Sequence, residues 1–460
     1  MSKILKTVLA LVVILALAVS FAACGGKTES NTTTANSAVS TAASESKATE
    51  APKEIVTLTL QTHTSWVETG KPGAQAMIDL VNSKSNELGA KIIVDKLPEG
   101  DQGDQVRMAR FASGQFADID FMQNLTSVAG KLKVQDIFAD LSGLGLDSIY
   151  GDNLKLPNFT FDGKVYAAPV GENTTALMFY NKKAFRDAGV QIPKTWADLL
   201  TVCAAIKAKG VVPVFYSAKD AWTDQIIALI ARARETKSSD EVNQFANDFM
   251  TNKKHYVDLK LFQDGIAKTK ELVDKGFVNK TYLSDDYAKA EAALIDGTAA
   301  MYPMGSWVIP DLVKLSGDTG KIDDIGAFGF PFDEGSIVST GAPGALYVAI
   351  GGKNAELSKK IVALMSGLEG QNAWFKASPG IPYANGVTVQ LSGVVKEIAD
   401  LLAAGEGKAC FLDYVSWNPG DLSKYVQDVL VGQKTPEQVA VEMDKETAKS
   451  AKSKNDPNWN

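Results

Sequence analysis

The stretch Val56-Thr-Leu-Thr-Leu60 alternates apolar with polar residues, the period of a strand that buries one face. Working outward from it, the pattern predicts a helix over residues 77–88 closed by Gly89, and a second strand over 91–97. A further helix over 105–112 leads to a third strand over 118–122. This β-α-β-α-β order predicts an α/β unit with a largely parallel sheet. Ligands of such sheets gather beyond the C-terminal ends of the strands, here around His63 to Glu68 and around Gln123, Asn124, Leu125 and Thr126.

A second α/β series follows. Thr195 and Asp198 have the spacing of a capping box, and Gly210 closes that helix before a strand expected over 211–216. Cys203 falls on the apolar stripe Trp196, Leu199, Leu200, Cys203, Ile206 and reads as a buried, inert thiol. Whether it pairs with Cys410 is left open by the spacing. The last helix is expected to start at Thr435-Pro436 with Gln438 three residues inside, its charged remainder forming a solvated face. No fixed-period repeat is visible, which argues against a solenoid.

The 54 residues ahead of this body have a different character. Lys3 and Lys6 precede an apolar run from Val8 to Ala23, the layout of a secretory signal peptide over residues 1–23. Phe21-Ala-Ala-Cys24 resembles the lipobox of bacterial lipoproteins, which makes Cys24 the expected lipidation site; an uncleaved anchor helix is the alternative. The remainder of residues 24–54 is rich in Ser, Thr and Ala, has no aromatic residue and cannot order itself by burial. As a flexible leash it would reach roughly 28 Å. The expected location is the extracytoplasmic face of the membrane of a Gram-positive cell.

Composition narrows the function. With 47 basic and 54 acidic side chains the net charge is −7, opposite to the footprint of a nucleic-acid binder. The two histidines, His63 and His255, stand in no HExxH pattern, and there is no paired-cysteine motif, Gly-x-Ser-x-Gly elbow or P-loop. No metal site, cofactor or catalytic residue is expected. A pair of carboxylates across a cleft would suffice for glycoside hydrolysis, so a polysaccharide-degrading enzyme remains an alternative.

Tryptophan is more informative. Of seven, Trp196 and Trp374 lie in apolar helical stretches and read as core, and Trp459 lies in the tail. Trp66, Trp222, Trp307 and Trp417 each follow a strand-like segment or precede a helix. A pyranose presents an apolar C–H face that stacks on an indole, and a rim of hydroxyls that needs acids and amides. Gln123, Asn124, Glu172, Asn173, Asp220, Asp224 and Asn418 neighbour those positions.

The stretch Asp162-Gly-Lys-Val-Tyr-Ala-Ala-Pro169, followed by Leu177-Met-Phe-Tyr-Asn-Lys182, Ala188-Gly189 and Thr195-Trp196, resembles the family 1 extracellular solute-binding proteins of ABC importers. Phe111-Ala-Ser-Gly114, Asp296-Gly-Thr-Ala-Ala-Met301, Gly305-Ser-Trp307 and Phe328-Gly-Phe-Pro331 fit the same family in order. The resemblance, which includes maltose-binding protein, implies a two-lobed periplasmic-binding-protein-like fold (type II) with lobes joined by hinge crossings near residues 177–181, 327–331 and 364–370. The N-terminal lobe would comprise 55–178 plus 331–368, and the C-terminal lobe 179–330 plus 369–460. It further implies a monomeric receptor that captures a carbohydrate, an oligosaccharide above all, and hands it to ABC permease subunits. Trp307 and Trp417 would stack on the sugar, Glu172, Asn173 and Thr174 would supply polar contacts, and His63, Trp66, Gln123, Asn124, Trp222 and Asp224 complete the expected set. A receptor for a peptide, polyamine or polyol phosphate is the alternative within the fold.

Overall fold

The computed structural model describes residues 54–67, 72–98, 100–123, 133–236, 239–415, 422–453 and 456–459. The signal peptide, Cys24, the leash, Asn124 and Trp417 lie outside the described residues. Residues from Lys53 onward form one compact unit, and within it two separate hydrophobic cores grow around two sheets.

Along the chain the strands are β1 (Val56–His63), β2 (Ala90–Leu97), β3 (Ile119–Met122), β4 (Thr160–Phe161), β5 (Lys164–Val165) and β6 (Ala168–Pro169). They continue as β7 (Thr174–Asn181), β8 (Val212–Val214), β9 (Ala299–Gly305), β10 (Ile325–Phe328), β11 (Phe330–Phe332), β12 (Gly335–Gly341), β13 (Ala345–Val348) and β14 (Gly407–Ala409). The first sheet has the order β2-β1-β3-β13-β6. Its three leading strands are parallel, as the β-α-β-α-β pattern predicts, while β13 and β6 join antiparallel. The helix expected over 77–88 is two helices, Pro72–Ser83 and Ser85–Leu88, and Gly89 does close the second in a left-handed conformation (φ 67°). Met77, Ile78 and Val81 put one helical face into the first core.

The second sheet runs β11-β12-β7-β9-β8, with β10 paired to β7 and β14 to β12. β8 and β9 are parallel, and β9 and β7 antiparallel. β8 is shorter than the stretch 211–216, although Phe215 N still donates to Met301 O at 2.9 Å. Both expected helix starts form: Thr195 and Asp198 close a reciprocal capping box, and Thr435 and Gln438 exchange backbone-to-side-chain bonds at 2.9 and 3.3 Å. Trp196 and Trp374 are core, one in each half. Trp459 is not an idle tail residue, because its indole is buried and donates to Met250 O at 2.8 Å.

The chain passes between the sheets at places other than the expected ones. Residues 177–181 lie inside β7, where Leu177, Met178 and Phe179 are fully buried in the second core. Burial of each such side chain is worth about 1.5–3 kcal/mol, so the segment is held as a core strand and cannot serve as a hinge. The first crossing is instead 170–173, between β6 and β7. The second is 342–344, between β12 and β13, rather than 327–331, which lie in β10 and β11 of the second sheet. The third follows the helix Leu368–Ala377, whose Trp374 and Phe375 belong to the first core, and precedes the helix Gly393–Ala403, whose Val394, Val395 and Ile398 belong to the second. Residues 331–341 therefore belong with the second core and 369–377 with the first, opposite to the expected division.

The first crossing is bonded to both of the others. Asn173 N donates to Ile381 O (2.8 Å) and Tyr383 N to Gly171 O (3.2 Å), while Val170 N donates to Gly344 O (3.0 Å). The Thr174 hydroxyl donates to Gly341 O at 2.8 Å. Gly171, at φ 94°, lies against the Trp374 ring, which a Cβ there would meet at 2.8 Å.

Candidate functional site

Two groups of the expected residues lie at the C-terminal ends of parallel strands, one in each sheet, and both are tied to the crossings. In the first half, the short turn Thr64–Trp66 follows β1 and carries Trp66 half-buried, edge-on to Phe121 with ring centroids 4.6 Å apart. Trp66 also covers Gly344 of the second crossing, where a Cβ would meet the ring at 2.8 Å. Gln123, just past β3, is exposed, and its amide donates to Ala342 O in the same crossing at 3.3 Å.

His63 is drawn into an ionic network behind Trp66. Its Nε2 lies 3.3 Å from Asp104 Oδ1 and 3.5 Å from Arg107 Nη1. Arg107 Nε in turn donates to Asp120 Oδ1 at 3.2 Å, and the Gln61 amide donates to the other oxygen of Asp120. Burial raises the Asp120 carboxyl even against the Arg107 charge. The network holds the strand ends and the His63 ring together beneath the indole.

In the second half, β9 ends at Gly305 and turns through Ser306–Val308, which places the half-buried Trp307. The Ser306 hydroxyl accepts from Thr175 N at 3.2 Å, so this turn is pinned to the start of β7, beside the first crossing. Gly305 is required here, because the Trp307 ring folds back over it and a Cβ would meet that ring at 2.1 Å. Past β8 the turn Ala221–Thr223 presents Trp222, 39% exposed, with its ring 6.3 Å from Trp307. Tyr287, at the start of the helix Tyr287–Asp296, completes the patch at 5.3 Å from Trp222. Tyr287 is absent from the expected set, and its only local signal is the capping Asp286 before it, whose side chain accepts from Lys289 N.

Below the patch the polar groups are buried. Ser217 Oγ bonds the hydroxyls of Thr223 and Tyr302, each at 2.9 Å, and Asp220 accepts from Tyr287 N at 2.8 Å. Asp224 is 4% exposed, and neither carboxyl oxygen has a hydrogen-bond partner among the described residues. Burial pushes it up to about 7, against a lowering pull from the nearby Gln427 amide. Glu291, 6% exposed, is pushed up to about 8 by burial and then by the neighbouring Asp311 charge.

Glu172, Asn173 and Thr174 are half-buried in and beside the first crossing. Glu172 forms an isolated bridge with Pro382 of the third, so these residues stand where the two halves join. Cys203 and Cys410 are both buried and are not joined by a disulfide, and burial holds the Cys203 thiol up at about 12, outside the range of thiolate chemistry. Among the described residues no cluster of His, Cys, Asp and Glu is arranged to hold a metal ion, and no helix is long and apolar enough to cross a membrane.

Residues 82–402 match the family model described as bacterial extracellular solute-binding protein. The chain belongs to that family. This bacterial extracellular solute-binding protein is 27% identical over 206 residues to the "Multiple sugar-binding protein" of Streptococcus mutans serotype c, a match covering 44% of this chain and 47% of the relative. It is 28% identical over 182 residues to the "Probable sugar-binding periplasmic protein" of Rhizobium meliloti, covering 38% and 40%. The chain thus spans about half or less of the length of the curated relatives it matches. Among solved structures, a "Chitin oligosaccharide binding protein" superposes with a TM-score of 0.69 at 24% identity, over 87% of this chain and all of that one. "SBP RafE in complex with raffinose" superposes with a TM-score of 0.68 at 18% identity, over 88% of this chain and all of that one. The solute-binding protein therefore has the expected two-lobed, periplasmic-binding-protein-like α/β fold.

Proposed function

We propose that the protein is the receptor of an ABC importer, capturing a saccharide between its two halves and delivering it to the permease without covalent change. The observation that carries this reading is the pair of indoles Trp222 and Trp307, 6.3 Å apart past the ends of two adjacent parallel strands. Such a surface suits the C–H face of a pyranose. The sugar-binding names of its relatives and the likeness to receptors for chitin oligosaccharide and raffinose favour the same solute class. Trp66, His63 and Gln123 offer a second surface from the first half, and Glu172, Asn173 and Thr174 offer polar contacts at the joint. A solute touching both halves favours the closed arrangement by its differential affinity. The protein acts outside the cytosol, held near its permease by lipid on Cys24, as a monomer; Asn124 and Trp417 are candidates for further contacts.

The test is titration with mono- and oligosaccharides, read as tryptophan emission and melting temperature. A saccharide that shifts both is the expected outcome, and silence across the panel sinks the proposal. Trp307→Ala should weaken binding by about tenfold or more with the melting temperature nearly unchanged. Release of reducing ends would instead favour an enzyme.

A further inference from the structure

We propose that the patch of Trp222, Tyr287 and Trp307 selects a saccharide bearing an ammonium nitrogen, a protonated 2-amino sugar, over a neutral sugar of the same size. This deepens the preceding reading and rests on it. The rings of Tyr287 and Trp307 lie 5.3 and 6.3 Å from the exposed indole of Trp222, and aromatic faces carry the negative lobe of the ring quadrupole. A neutral pyranose uses such faces equally well, so the choice between solutes is made by what lies behind the rings.

Behind them are carboxyls. Asp224 is buried two residues after Trp222, with both oxygens unbonded to any described residue. Glu291 is buried one helical turn after Tyr287, its Oε1 also unbonded, and Asp311 of the next helix is its charged neighbour. The ionisable groups that act on the Tyr302 hydroxyl, which bonds Ser217, are Glu291, Asp224 and Asp220, all of them acids. The lysines nearest in sequence are already matched: Lys219 pairs with Asp286 and Lys289 with Asp285, each at 2.9 Å. A buried carboxyl whose oxygens lack a cation is costly to ionise unless a positive charge comes near.

The oxygens of Asp224 and the Oε1 of Glu291 are sealed from solvent, so a neutral hydroxyl on the patch cannot reach them, whereas a cation interacts with them through a low-dielectric medium without contact. Burial raises both carboxyls towards neutral pH, so that each is only partly ionised there, and a seated ammonium group favours the ionised form. Binding of a cationic sugar is therefore coupled to proton release.

Calorimetric titration of the full-length protein at pH 6.5 tests this, using β-linked glucosamine oligomers, their N-acetylated counterparts and glucose oligomers of equal length. The glucosamine series is expected to bind about tenfold tighter than both others, the size of a partly desolvated cation–π contact. Its heats should differ between buffers of unlike ionisation enthalpy, reporting released protons. Asp224→Asn and Glu291→Gln, each checked for an intact melting transition, should narrow the preference at least about threefold. Tighter or equal binding of the acetylated or glucose series overturns the selection while leaving saccharide capture standing; binding of no series removes both.

Discussion

Gly305 and Trp307 show how a two-residue spacing becomes a surface. The ring of Trp307 lies over the Gly305 Cα, so Gly305→Ala must push the indole off the patch. We expect this variant to lose saccharide affinity about as far as Trp307→Ala does, with a stability cost of about 1–3 kcal/mol from overpacking, measured by parallel titration and denaturant unfolding. Trp196 makes the contrast: its ring stacks on Phe330, its Nε1 donates to Glu271 at 2.8 Å, and Lys268 lies over its face. Trp196→Ala should cost about 3–5 kcal/mol of stability and leave affinity intact in the folded fraction. The sorting of these two indoles was legible from local setting, one inside a capped apolar helix, the other at the end of a strand. The burial of Trp459 was not, because its acceptor on Met250 is 209 residues away in sequence. Asp224 looked like a loop acid ready for a solute, yet it is sealed under the turn that exposes Trp222. Its raised value near 7 has a definite sign: above the ordinary carboxylate range the unfolded chain releases a proton that the folded one retains. Stability from this group is thus full below about pH 4 and is lost as pH rises towards 7. Asp224→Asn should flatten that slope and raise stability at pH 8 by up to about 4 kcal/mol, followed as melting temperature against pH.

At the scale of elements, helix ends were the most legible features, since capping is decided by residues three apart. Thr195→Ala removes the acceptor for Asp198 N and should cost about 1 kcal/mol, read from the shift in denaturant midpoint. The parallel run β1 to β3 was equally legible, because alternation and helix punctuation agree there. The hinge was not. An apolar strand such as β7 and an apolar crossing look alike along the sequence, and only pairing partners distinguish them: Leu177 with Met304, Met178 with Pro303. Tyr287 was hidden for a related reason, since its ring reaches the patch from a helix start, whereas the pattern of an α/β sheet points to strand ends.

For the whole molecule, three crossings, the second and third each bonded to the first, confine relative motion of the halves to a bend about one line, as in hinge closure. A bound saccharide should reduce the radius of gyration in small-angle X-ray scattering, and an unchanged profile at saturating solute would argue against closure. The family, the α/β class and the two-core plan could all be read from ordered motifs spread over the chain, whereas the division of residues between cores could not, because it depends on contacts between distant segments.

That interleaving constrains how the chain is made. The fourth strand across the first sheet, β13, arrives long after its neighbour β3, as the Gln123 to Ala342 bond across 219 residues records, and Trp374 comes later still. A nascent polypeptide therefore cannot finish its leading half until most of the trailing half has emerged. A product stopped before Ala345 lacks the strand that joins β3 to β6.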